Sequence, residues 1–106
     1  MKTLELIKGI KMMVRDDSTQ GVSVFEEKHM ISVLIYLAAN GPSRKIDIYD
    51  GVSSNPRMPD KLNNLERYGL VTQEMDTGTR STIVTLTPKG EDVAAKFSEI
   101  DEMMKD

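Results

Sequence analysis

The run from Leu65 to Gly90, LERYGLVTQEMDTGTRSTIVTLTPKG, narrows what this chain can fold into more than any other stretch. It encodes, in order, the end of a helix, a two-stranded hairpin and the start of another helix. Gly69 follows Tyr68 just past the last apolar-periodic residue, where a glycine takes the left-handed C-terminal cap that a side chain resists. Leu70, Thr72 and the stretch Ile83-Val84-Thr85-Leu86 then carry residues suited to strands. Between them, Asp76-Thr77-Gly78-Thr79 supplies turn chemistry, with Gly78 free to adopt positive φ. Thr87 before Pro88 closes the hairpin and starts the next helix, with threonine at the N-cap and proline where its missing N–H costs nothing.

Around this run the periodicity is helical. Leu6, Ile10 and Met13 line one face of a helix predicted over Thr3–Arg15, which a polar loop, Asp16 to Gly21, should follow. From Ser23 to Asn40 the pattern predicts one continuous helix at the centre of the domain, with Met30, Val33, Leu34 and Leu37 inward. Asn40-Gly41-Pro42 stops it. Ser43 is expected to cap a short helix from Arg44 to about Asp50, with Ile46 and Tyr49 facing in. The next helix begins near Pro56 or Pro59 and runs to Tyr68, burying Met58, Leu62 and Leu65 and exposing Arg57, Asp60, Lys61, Asn63, Asn64 and Arg67. After the hairpin, Val93, Phe97, Ile100 and Met104 repeat as a heptad seam in the last helix.

The 106 residues, 39% hydrophobic, suffice for one domain with one core, spanning 1–106. With no cysteine and a single histidine, His29, thiolate and most histidine-based metal sites are excluded, and a reducing cytoplasm is the expected compartment. Glu5, Lys8 and Lys11 interrupt the apolar run at the start, so it does not read as a signal peptide or membrane span. No phosphate loop, paired-histidine zinc motif or serine elbow is present, and the chain does not read as an enzyme. Asp76-Thr77-Gly78 matches the short motif of aspartic proteases, but those enzymes are built from strands and most of this chain has helical period. No metal or organic cofactor is called for.

The order helix, short helix, turn, helix, hairpin, helix resembles the winged helix-turn-helix, and the residues are similar to MarR-type and related small archaeal transcriptional regulators. The resemblance covers roughly Glu26 to Phe97. Its most specific pieces are LERYGLV (Leu65 to Val71) and TIVTLTPKGEDVA (Thr82 to Ala94), with DTGTR (Asp76 to Arg80) as a looser match to the family's wing tip. At the start of the recognition helix, SSNPRMPDKL has two prolines and an acid where the family usually shows a more basic, serine- or threonine-rich run. The implied fold class is mainly α with a small β-hairpin (α+β), a winged helix-turn-helix with extra N- and C-terminal helices.

The resemblance implies a DNA-binding transcriptional regulator whose recognition helix enters the major groove. Arg57, Lys61 and Asn64 are the expected base contacts, because arginine or lysine pairs with guanine O6 and N7, and asparagine with adenine N6 and N7. Ser53, Ser54 and Asn55 would meet phosphates at the helix start, Arg44 and Lys45 would add backbone contacts, and Arg80, supported by Thr77 and Thr79, would form the wing contact. A homodimer is expected, with Leu6, Ile10 and Met13 packing against Val93, Phe97, Ile100 and Met104 across a two-fold axis, so that double-stranded DNA is read as a palindromic operator. No residue set identifies a small-molecule effector.

Charge weighs against this reading. Net charge is −3: residues 1–42 carry five positive and five negative groups, 43–80 six and six, and 81–106 three and six. The excess acid therefore lies in the last helix, which leaves room for a DNA-binding face that is locally basic through Arg44, Lys45, Arg57, Lys61 and Arg80, although the segment carrying it is neutral in sum. The alternative is a winged-helix protein-protein interaction module without sequence-specific DNA binding.

Overall fold

A computed structural model of the chain describes residues 21–105. The helix expected over Thr3–Arg15, with Leu6, Ile10 and Met13, lies outside the described residues. The chain enters through a 3-10 helix, Gly21–Glu26, and continues through α1 (Met30–Asn40), β1 (Ser43–Arg44), α2 (Lys45–Gly51), α3 (Met58–Arg67), β2 (Val71–Asp76), β3 (Ser81–Leu86) and α4 (Pro88–Met104). The three strands form one antiparallel sheet in the order β1-β3-β2. The fold is a winged helix-turn-helix, mostly helical with a small sheet, as the sequence implied.

The single helix expected from Ser23 to Asn40 is instead broken at His29, whose φ of 73° is left-handed. Two long-range contacts lie on the near side of the break. Phe25 packs edge-on against Phe97 at 4.8 Å, and the Glu27 carboxylate meets the Lys61 ammonium. These contacts outweigh local helix propensity, which is worth only tenths of a kcal/mol per residue. Beyond the break, Met30, Val33, Leu34 and Leu37 are buried as their spacing requires. Gly41, at φ 77°, ends α1 by donating its N–H to the Leu37 carbonyl.

Ser43 does not cap α2. With Arg44 it forms β1, opposite Val84 and Ile83 of β3, and its hydroxyl donates to the Gly41 carbonyl. In α2, Ile48 takes the buried position and Tyr49 packs against the core, whereas Ile46, expected inward, is 56% exposed. Residues two apart lie on nearly opposite sides of a helix, so only one of the two isoleucines can face in. In α3, Met58, Leu62 and Leu65 are fully buried, and Pro59 sits in the first turn, where no backbone hydrogen bond is lost.

The junction between α3 and the hairpin is tightly fastened. Gly69 is left-handed, and the Leu70 N–H returns to the Leu65 carbonyl. The start of α4 then covers the exit: Thr87 Oγ1 donates to the Gly69 carbonyl at 2.6 Å, Lys89 Nζ to the Tyr68 carbonyl, and the Thr87 N–H to the Leu70 carbonyl. Thr87 also caps its own helix by accepting from the Gly90 N–H, as expected. Further along α4, half of the expected heptad seam is spent inside the domain. Val93 and Phe97 pack on the core, while Ile100 is 50% and Met104 78% exposed.

Candidate nucleic-acid interface

The start of α3 is shaped by side chains that accept hydrogen bonds from the chain itself. Asn55 Oδ1 accepts from the Arg57 N–H at 2.8 Å and Ser53 Oγ accepts from the Asn55 N–H at 3.1 Å, a local turn that these short polar residues favour. Both acceptor ends are thereby used within the chain, and it is the donor ends, the Ser53 hydroxyl proton and the Asn55 amide, that suit an anionic ligand. Ser54 and Arg57 are exposed and Asn55 is half-buried. Asp60 is also exposed, in the first turn of α3.

Lys61 is not on the face where its charge placed it. It was expected on the exposed face as a base contact, but it is 5% exposed, and its ammonium donates to Glu27 Oε2 at 3.1 Å. A buried ammonium needs a counter-charge, and the turn before α1 supplies one. Asn64 is half-buried, and its Oδ1 accepts from the Arg67 guanidinium, which also lies over the Tyr68 ring. The exposed charges of α3 and its cap are therefore Arg57, Asp60, Glu66 and Arg67, two of each sign.

The hairpin stands beside α3 and is tied to it. Gln73 of β2 donates from Nε2 to Asn63 Oδ1 and Glu66 Oε1, both at 2.9 Å, while its own N–H reaches Glu66 Oε2. Its Oε1 is shielded from solvent and has no partner among the described residues. No sequence motif marks this tie. The available signal was a glutamine two positions after Val71, on the same side of the strand as that buried residue.

At the tip, Asp76 accepts from the Gly78 N–H and the Thr79 hydroxyl, and its carbonyl accepts from the Arg80 N–H at 2.7 Å. The left-handed residue expected at Gly78 is in fact Arg80, with φ 59°. Thr77, Thr79 and Arg80 are all exposed. At the foot of the sheet, Arg44 forms a two-pronged pair with Asp47, both bonds 3.0 Å long. Their hydrogen bond raises the arginine pKa and lowers that of the aspartate, with mutual charge attraction adding to both shifts. Arg44 thus offers a duplex a charge already matched by a carboxylate, and Lys45 beside it is half-buried.

No protein-family model matches this chain, and no curated protein sequence does. Solved structures do. MepR, a transcription regulator of the Staphylococcus aureus multidrug efflux pump MepA, superposes with a TM-score of 0.63 at 28% identity over 74% of this chain. A single-substitution MepR variant from a multidrug-resistant S. aureus clinical isolate gives 0.64 at 27% identity over 81%. This chain spans 60% and 65% of those two proteins' lengths. A transcriptional regulator from Clostridium thermocellum shares the fold at a TM-score of 0.51, with 21% identity over 79% of this chain and 89% of that one. These neighbours are transcription regulators rather than enzymes.

Proposed function

We propose that this MarR-like winged-helix chain is a DNA-binding transcriptional regulator that acts as a homodimer on a palindromic operator. In this reading α3 lies in the major groove and the 76–81 tip reaches the minor groove or the backbone. The observation that carries it is the pairing of an exposed, Arg57-bearing helix start with an exposed, Arg80-bearing hairpin, bonded to one another through Gln73. Arg57 and Asn64 are the base-reading candidates. Ser53, Ser54, Asn55, Arg44 and Lys45 would hold phosphates, and Thr77 and Thr79 would support Arg80. The two-fold contact would use the exposed Ile100 and Met104 with Leu6, Ile10 and Met13 of the first segment. No helix among the described residues is long and apolar enough to cross a membrane.

Selection of binding sites from random duplex DNA, repeated with Arg57→Ala and Arg80→Ala, tests the reading. A palindromic sequence should be enriched, and each substitution should weaken binding by about tenfold or more. Absence of enrichment together with indifference to both substitutions would overturn it.

One observation favours a second reading, a protein-interaction module. With Lys61 buried, the exposed face of α3 is electrically balanced. Salt separates the two readings: affinity for duplex falls steeply as salt rises, because phosphate contacts release counterions, whereas a protein contact through a charge-balanced face has no condensed counterions to release and is less sensitive.

A further inference from the structure

We propose that Lys61 is a positioning residue: gripped by Glu27, its buried ammonium fixes the placement of α3 and couples that helix to the segment leading into α1. The consequence for DNA rests on the reading above, but the coupling itself does not.

Three features argue for it. The other buried side chains of α3, Met58, Leu62 and Leu65, are apolar, and apolar burial is non-directional, so it sets depth better than tilt or register. The Lys61–Glu27 bond is directional and charge-assisted, and it spans 34 positions of sequence. The two partners are also unequal. The Lys61 side chain is 6% exposed and that of Glu27 40%, so the carboxylate tolerates separation in water while the ammonium does not. Moving Glu27 away would therefore force α3 to shift and bring Lys61 to solvent. Phe25, two residues before Glu27, packs on Phe97, so the short stretch 21–28 holds α4 by an aromatic ring and α3 by a charge. A displacement at either helix is transmitted to the other through this stretch.

Three variants of the whole chain test this, and for the first a direct DNA contact by Lys61 predicts the opposite outcome. Glu27→Gln removes the counter-charge but leaves the lysine. If Lys61 positions the helix, Glu27→Gln weakens duplex binding by about tenfold, and amide exchange in 58–67 speeds up more than in α1. If Lys61 instead reaches phosphate, the same substitution leaves binding unchanged or strengthens it, and the proposal falls. Lys61→Met removes the buried charge while filling its space. It should keep or raise the urea midpoint, yet accelerate exchange across 58–67 by about fivefold or more. Loss of protection in equal proportion throughout the domain, or none in 58–67, overturns the proposal. The reversed pair, Glu27→Lys with Lys61→Glu, should restore protection of α3, and failure to do so counts against it as well. Should the wild-type chain bind no duplex, the DNA-binding reading fails, while the exchange measurements still decide the coupling.

Discussion

The two parts of the candidate interface are held in place by different physics. The inner face of α3 consists of Met58, Lys61, Leu62 and Leu65, all buried, and its position depends on contacts with residues distant in sequence. The hairpin tip from Asp76 to Arg80 is exposed throughout and is shaped by hydrogen bonds that stay within those residues and Ser81. The helix should therefore respond to substitutions far from it in sequence, whereas the tip answers only to its own residues. The sharpest test of this contrast lies where the two meet. A Cβ built on Gly90 of α4 would stand 1.9 Å from the Leu70 carbonyl oxygen and 2.9 Å from its carbon, both backbone atoms at the root of β2. Neither can swing aside as a side chain would. Gly90→Ala is expected to cost about 3 kcal/mol and to disorder helix exit and hairpin root together, read from the urea midpoint. A cost below about 1 kcal/mol would show that α4 does not lock the junction.

At the tip the expected effect is smaller in stability and larger in binding. Arg80 holds a left-handed conformation that costs a side-chain-bearing residue about 1 kcal/mol, and glycine is released from that cost but loses more freedom on folding. Arg80→Gly should consequently fold within about 1 kcal/mol of the wild type while losing about tenfold in duplex affinity. If its thermal stability fell as far as that of Gly90→Ala, the distinction between a globally held helix and a locally held tip would not stand.

The same distinction explains what could be read from the sequence. The core of α1, the apolar face of α3, the Gly69 stop and the Thr87 cap were all legible, because each leaves a periodic or local chemical mark. Three features, whose marks are missing or in conflict, were not. The break at His29 accompanies contacts with Phe97 and Lys61, both distant in sequence. β1 has only two residues, too few to show alternation, and its pairing with β3 comes from the far side of the chain. The position of Lys61 is the most instructive case. At i+3 from Met58 and i+4 before Leu65 it lies on the apolar stripe, so the spacing marked it as inward, while its charge argued that it faced out. The resolution required a carboxylate that only the folded chain brings within reach. For the interface, sequence correctly exposed Arg57 and Arg80 but could not show that Arg44 is already matched by Asp47.

That pair supplies the smallest effect and completes the comparison, because it belongs neither to the core nor to the turn. Arg44 and Asp47 lie in the open, with side chains 53% and 38% exposed, and share two hydrogen bonds. The Arg44 hydrogen bond holds the Asp47 carboxyl below its ordinary value of 3.8, helped by the charge of the same guanidinium and opposed by partial desolvation. A carboxyl whose pKa is lower folded than unfolded binds protons more weakly in the folded state. Its contribution is therefore present above the ordinary value and disappears as pH falls through the lower folded one. Wild type and Asp47→Asn should then differ slightly in urea midpoint at neutral pH and converge in acid. Salt should shrink the difference at neutral pH, since an exposed pair is screened and gains little from two bonds that water can replace. A difference that persisted at high salt would mean that Arg44 is held by the fold rather than by water-screened attraction. Its charge would then be fixed in place beside β3, a poorer partner for a phosphate than an arginine free to exchange one anion for another.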